Sequence, residues 1–137
     1  MKSKASTRAD AGIEVTEWEP EPFDEADGTA ALVRIAVRER FTGDIQAAGH
    51  AAMLQALAAD GSASFVAVER VTGSIGGRAG SFVLQDAGTM AADGTVTGQW
   101  FVVPGSGTGE LAGLTGTGGF TATVGQHARA WLDYQLA

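Results

Sequence analysis

The sequence predicts an all-β protein, a closed antiparallel β-barrel of about eight strands. Two observations carry that expectation. Eight or nine β-prone segments follow one another at a spacing of roughly 8 to 14 residues, with turn signals between them and no convincing long helix. The chain also has 20 glycines against three prolines and is 45% hydrophobic, which suits many tight bends between buried segments and does not suit disorder. Closure follows because eight strands can surround a space just wide enough for side chains or one small ligand, and a closed sheet has no edge to protect.

The elements can be justified in chain order. Residues 1–11 carry charges and small polar side chains without periodicity, so they read as a flexible N-terminal arm, with residues 12–137 forming the single barrel domain. Ile13 and Val15 alternate with Glu14 and Thr16 and lead to Trp18, a period of two that marks a strand with one buried face. Residues 19–29, with Pro20, Pro22 and Gly28, read as an acidic loop. Over residues 31–41, Val33, Ile35 and Val37 alternate with Arg34, Arg38 and Arg40, a half-buried strand with a cationic outer face. The cationic row reads as solvated, or as facing the acidic loop. Residues 45–57 are Ala-rich and fit a strand or a helix; the flanking turns favour the strand in a hairpin meander. Asp60-Gly61 is a hairpin signal before strands at 64–72 and 81–85, and Asp93-Gly94 is another before a strand at 95–103. Seven glycines fall between Gly105 and Gly119, punctuated by Leu111, Leu114 and Phe120, which reads as a loop and a sharply bent strand. Strands at 121–124 and 130–136 flank a turn at Gly125 and close the chain.

Composition removes several classes of function. With no cysteine there is no disulfide, thiolate metal site or cysteine nucleophile, and the chain suits a reducing cytoplasm. No secretory signal is legible in the first residues, and the longest apolar runs fall far short of the roughly 20 residues of a spanning helix, so a membrane partner is not expected. The formal net charge is −7, and seven of the sixteen acids lie between Glu14 and Asp27, a surface that repels nucleic acid. Gly105-Ser106-Gly107-Thr108-Gly109 has neither the lysine of a Walker loop nor a glycine in place of Glu110, so it reads as a structural bend, and no Gly-x-Ser-x-Gly elbow is present. His50 and His127 are far apart in sequence and lack ligand spacing; no metal or other cofactor is expected.

The run from Trp100 to Gly116, together with residues 63–73 and 77–85 and the opening strand ending at Trp18, resembles a family of small bacterial proteins of unassigned function among the allene oxide cyclase-like barrels. The glycine pattern from Gly107 to Gly116 is also similar to that of allene oxide cyclases and dirigent proteins. The resemblance implies an eight-stranded barrel that self-associates, as a homodimer or homotrimer, and whose relatives bind hydrophobic small molecules and in some cases steer their cyclisation. At one point the chain departs from the pattern: Asp86 stands where the resemblance leads one to expect histidine after Gln85.

Glu69 is the most suggestive side chain, because alternation places it on the same face as Phe65, Ala67 and Val71. If that face lines the interior, burial raises its pKa and makes it an acid or base; the plainer reading is an ion pair with Arg78 or Arg34, or an outward charge. Gln85 would polarise a ligand carbonyl or satisfy Glu69. Trp18, Phe65, Trp100 and Tyr134 would form the walls against an unsaturated ligand, although most aromatics in a small barrel are simply core. Two functions follow. One is a cyclase or isomerase that shapes a hydrophobic, unsaturated substrate, with Glu69 and Gln85 catalytic and orientation supplying much of the rate. The other is a non-catalytic binding or structural barrel. An interior cavity of roughly 300 Å³ or more that contains Glu69 would favour the first reading, and a filled core would defeat it.

Overall fold

The computed structural model describes residues 6–123 and 127–136; the turn expected at Gly125 and the first five residues of the expected arm lie outside them. Eight strands form one closed antiparallel barrel in sequence order: β1 (Thr7–Asp24), β2 (Ala31–Gly43), β3 (Ile45–Leu57), β4 (Ala63–Ile75), β5 (Arg78–Met90), β6 (Val96–Val102), β7 (Thr115–Ala122) and β8 (Ala128–Gln135). The expected architecture is therefore the observed one. β8 returns to pair with β1, from Thr7 opposite Tyr134 to Ile13 opposite Ala128, and every ladder is satisfied round the ring.

Strand β3 resolves the Ala-rich segment in favour of strand. Its alternation of Ile45, Ala51 and Met53 with outward residues is continued by full-length pairing to β2 and β4, which a helix could not offer. Asp60 accepts from the Ser62 backbone N–H at 2.9 Å and Asp93 from that of Thr95 at 2.9 Å, so both Asp-Gly signals are hairpin turns.

Two expectations are corrected at the N-terminus. Residues 7–11 are the first turn-free stretch of β1, where Ala9 and Ala11 are buried in the core and Arg8 forms a two-pronged ion pair with Asp133 (2.8 and 2.9 Å) across the closing seam. Small side chains that look featureless in sequence are small because they face the narrow end of a barrel. Residues 19–24 also continue β1 and pair with β2 as far as Asp24 opposite Leu32, with Pro20 and Pro22 accommodated within that ladder. A register shift between Val15 and Glu17 inserts Thr16 as a bulge. It changes the phase of the strand, so that Glu14 and Glu17 face outward to Arg40 (2.7 Å) and Arg38 (3.4 Å), while Trp18 comes opposite the inward-facing Val37. The cationic row of β2 is thus largely matched by acids on the neighbouring strand, and Arg34 stacks over the Phe23 ring at 5.0 Å.

The glycine-rich segment between β6 and β7 is a built element. It runs beside the free lower half of β5, where Val103 N–H and Thr108 N–H donate to the carbonyls of Val83 and Ser81 and Ser106 Oγ accepts from Val83 N–H. A single 3-10 turn, Gly109–Leu111, opens on Gly109 at φ +61°, a conformation that favours glycine. The turn drives Leu111 and then Leu114 into the barrel, where both are buried against Ile45, Val71, Ile75 and Phe82. One end of the barrel is consequently packed solid. The other end, where the β1–β2, β3–β4 and β5–β6 turns lie, is not.

Candidate functional site

Above the packed end lies a cavity of about 180 Å³ whose wall is drawn from all eight strands and is almost wholly apolar. Phe65, Trp100 and Phe120 form one side; the Trp100 and Phe120 rings are 5.1 Å apart and Phe65 stacks on Phe120 at 6.2 Å. Trp100 is fixed by its indole N–H donating to the Trp131 carbonyl at 3.0 Å. Val15 and Trp18, 50% and 48% exposed, line the mouth.

Three carboxyl groups interrupt this apolar wall: Glu39 from β2, Glu69 from β4 and Asp86 from β5. Each sits in the inward phase of its strand, Glu39 after Val33, Ile35 and Val37, Glu69 after Phe65 and Ala67, and Asp86 after Phe82 and Leu84. Glu69 is 2% exposed and Asp86 9%, and Glu69 Oε2 and Asp86 Oδ1 are buried without a hydrogen-bond partner. Gly49 makes room for Glu69: a Cβ there would collide with Glu69 Oε2 and crowd the Phe41 ring. No basic residue lines the cavity among the described residues, and none of the Arg–carboxylate pairs reaches it.

That isolation sets the electrostatics. Burial pushes the Glu69 carboxyl well above its usual range, and Glu39 raises it further by hydrogen bonding to the protonated form and by charge repulsion, with a smaller contribution from Asp86. Burial, followed by the charge of Glu39, raises Asp86 to about 7. Both carboxyls therefore hold a proton more tightly than a free carboxyl does, in a cavity whose wall is otherwise apolar. Among the described residues no group of three or more His, Asp or Glu side chains is placed to hold a metal ion.

Four of the six residues singled out from sequence meet here: Trp18, Phe65, Glu69 and Trp100. Glu69 has neither of the arginines expected as partners in an ion pair; Arg34 points outward over Phe23 and Arg78 begins β5 at the packed end. Gln85 is a correction. It is exposed on the outer face, because Phe82, Leu84 and Asp86 take the inward phase of β5, and in the run Ser81-Phe82-Val83-Leu84 both phases are apolar enough to mislead. Tyr134 is a second correction. It shares the inward phase of Leu132, but at the packed end, where its hydroxyl lies beside Gly76, away from the cavity. Asp86 and Glu39 were not expected as site residues. Both were legible as acids in the inward phase of an alternating strand, Glu39 the more plainly.

Fold and site together define the class: a closed eight-stranded barrel with a small, apolar, acid-floored lumen open at one end. The chain belongs to the DUF3224 family, proteins of unknown function, whose pattern it matches over residues 9–134. It is also similar to a solved structure of a DUF3224 protein of unknown function from Shewanella oneidensis MR-1, with 37% identity, a TM-score of 0.82, and coverage of 96% of this chain and 98% of that one. No curated protein matches it.

Proposed function

We propose that the barrel binds a hydrophobic small molecule in its lumen. The observation that carries this reading is the unfilled, aromatic-walled cavity of about 180 Å³ above a core that is otherwise packed solid. An empty apolar volume forfeits dispersion contacts, and a dry engineered cavity of about 150 Å³ is known to take up benzene. The volume is below the roughly 300 Å³ at which drug-sized pockets begin, so the occupant is ring-sized or is the inserted end of a longer molecule.

The test uses the methionines. Met53 and Met90 line the cavity and Met1 is the remaining methionine of the chain, so methyl NMR of methionine-labelled protein reads lumen occupancy directly. Titration with 2-phenylethanol should shift the Met53 and Met90 methyl signals and leave Met1 in place, and Ala67→Leu, which fills the cavity, should abolish the shifts. Methyl signals that stay unmoved with this probe and with its amine and carboxylate analogues at millimolar concentration would sink the proposal.

A catalytic reading, the cyclase or isomerase that the resemblance to allene oxide cyclase-like barrels implies, is favoured by one further observation. Two carboxyls face the same apolar space, Glu69 raised well above its ordinary range by burial and by Glu39, and Asp86 raised to about 7. Glu69 would donate and Asp86 would accept a proton while Trp100 and Phe65 restrain the substrate; Gln85 has no part. Glu69→Gln and Asp86→Asn should each abolish turnover of any substrate found while the circular dichroism spectrum is retained.

A further inference from the structure

The lumen is acidic and has no countercharge. From β2, β4 and β5 come Glu39, Glu69 and Asp86; β1, β3, β6, β7 and β8 contribute only neutral side chains to the cavity, with Gln55 from β3 the one other polar group among the described residues. The two polar atoms left without partners, Glu69 Oε2 and Asp86 Oδ1, are both acceptors when their carboxyls are ionised. A buried acceptor without a donor is destabilising, and more so when charged. What this floor lacks is positive charge that carries hydrogen-bond donors.

We infer that the lumen's ligand is an organic cation: an apolar body of about one ring, seated against Phe65, Trp100 and Phe120, with a protonated amine directed at Glu69 and Asp86. This rests on the lumen-binding reading and names its ligand class. Four features of the site select that chemistry. An ammonium supplies up to three donors and no acceptor, matching the orphaned oxygens. Its charge replaces the missing countercharge and allows the carboxyls to ionise in place. The aromatic wall adds cation–π attraction for whatever part of the charge lies over a ring. A bare divalent ion is the poorer fit, since the acids form no group placed to hold a metal, and it would leave the apolar volume empty. An anionic ligand would set its charge against the same three carboxyl groups.

The test compares three probes of nearly equal shape: 2-phenylethylamine, 2-phenylethanol and phenylacetate. Affinities are read by titration calorimetry, with the Met53 and Met90 methyl signals reporting the place of binding. The amine should bind at least about tenfold more tightly than the alcohol, a difference of about 1.4 kcal/mol, and phenylacetate should not bind. Between about pH 6 and about pH 8 the amine's affinity should rise several-fold as the floor ionises, while the alcohol's stays level. Calorimetry in buffers of different ionisation enthalpy should show protons released on amine binding. Glu69→Gln and Asp86→Asn should bring the amine down to the alcohol's affinity; should either variant fail to fold, the pH and proton-release measurements on the unaltered protein decide alone. Equal or tighter binding of the alcohol, with the methyl signals moving, overturns the cation assignment and leaves the lumen-binding reading standing. Absence of binding by all three overturns both.

Discussion

Asp86 shows how one side chain couples the site to the stability of the barrel. Its carboxyl titrates near 3.8 in an unfolded chain and at about 7 in the barrel, so the folded state holds the proton more tightly. The native state is therefore not disfavoured below the unfolded value. The unfavourable term grows as pH rises from about 4 to about 7 and is flat above that. The gap corresponds to at most about 4 kcal/mol at roughly 1.4 kcal/mol per pH unit. Asp86→Asn should consequently raise Tm at pH 8 and leave it nearly unchanged at pH 4, measured by calorimetric melts at the two pH values. Destabilisation at pH 8 would show that the carboxylate is paired instead. Glu69→Gln has the same sign, because burial and Glu39 raise the Glu69 carboxyl well above the ordinary range. Gln85→Ala, on the exposed neighbour of Asp86, should change stability by less than about 0.5 kcal/mol and leave probe binding unaltered. The contrast between adjacent residues 85 and 86 isolates strand phase as the cause.

At the scale of elements, the segment between β6 and β7 has the largest consequence. Leu111 and Leu114 are fully buried in the packed end and come from a turn held to β5 by hydrogen bonds to Ser81 and Val83. Truncation there opens a cavity, so Leu111→Ala should cost about 2 to 5 kcal/mol in denaturant melts. The same truncation should extend the lumen downward and tighten binding of probes longer than one ring. The bulge at Thr16 acts at the other end. By shifting the phase of β1 it allows Glu14 and Glu17 to meet arginines on β2 outside while Trp18 reaches the cavity mouth. Alternation made the strand legible from Ile13 and Val15, and Trp18 was expected at the lumen wall; a bulge leaves no mark in the period of the residues that precede it, so the change of phase at Thr16 was not legible.

Over the whole molecule, the outer surface carries exposed Leu54 on β3, Val66 and Val68 on the adjoining β4 and, beyond β5, Phe101 on β6. Contiguous exposed apolar groups of this kind mark contact surfaces. The self-association that the resemblance implies would use this face, and light scattering should then show a dimer or trimer that Val66→Glu converts to a monomer. A monomer in the unaltered protein would end that expectation. The formal net charge of −7 opposes association, so the oligomer should weaken as salt is lowered.

Strand number, the hairpin turns, the inward Glu69 and the closure of the sheet follow from local information: a period of two, turn residues at regular intervals, and the need of every strand edge for a partner. Asp86 and Tyr134 mark the limit of that information. Alternation says that a residue faces the interior, but a barrel's interior has a packed end and an open end, and only the register of eight strands decides which level a residue occupies. It is that register which places Tyr134 against Gly76 at the packed end. It also brings Glu39, Glu69 and Asp86, from three strands, to face one small apolar space, where their mutual repulsion and burial create a chemistry that none of them has alone.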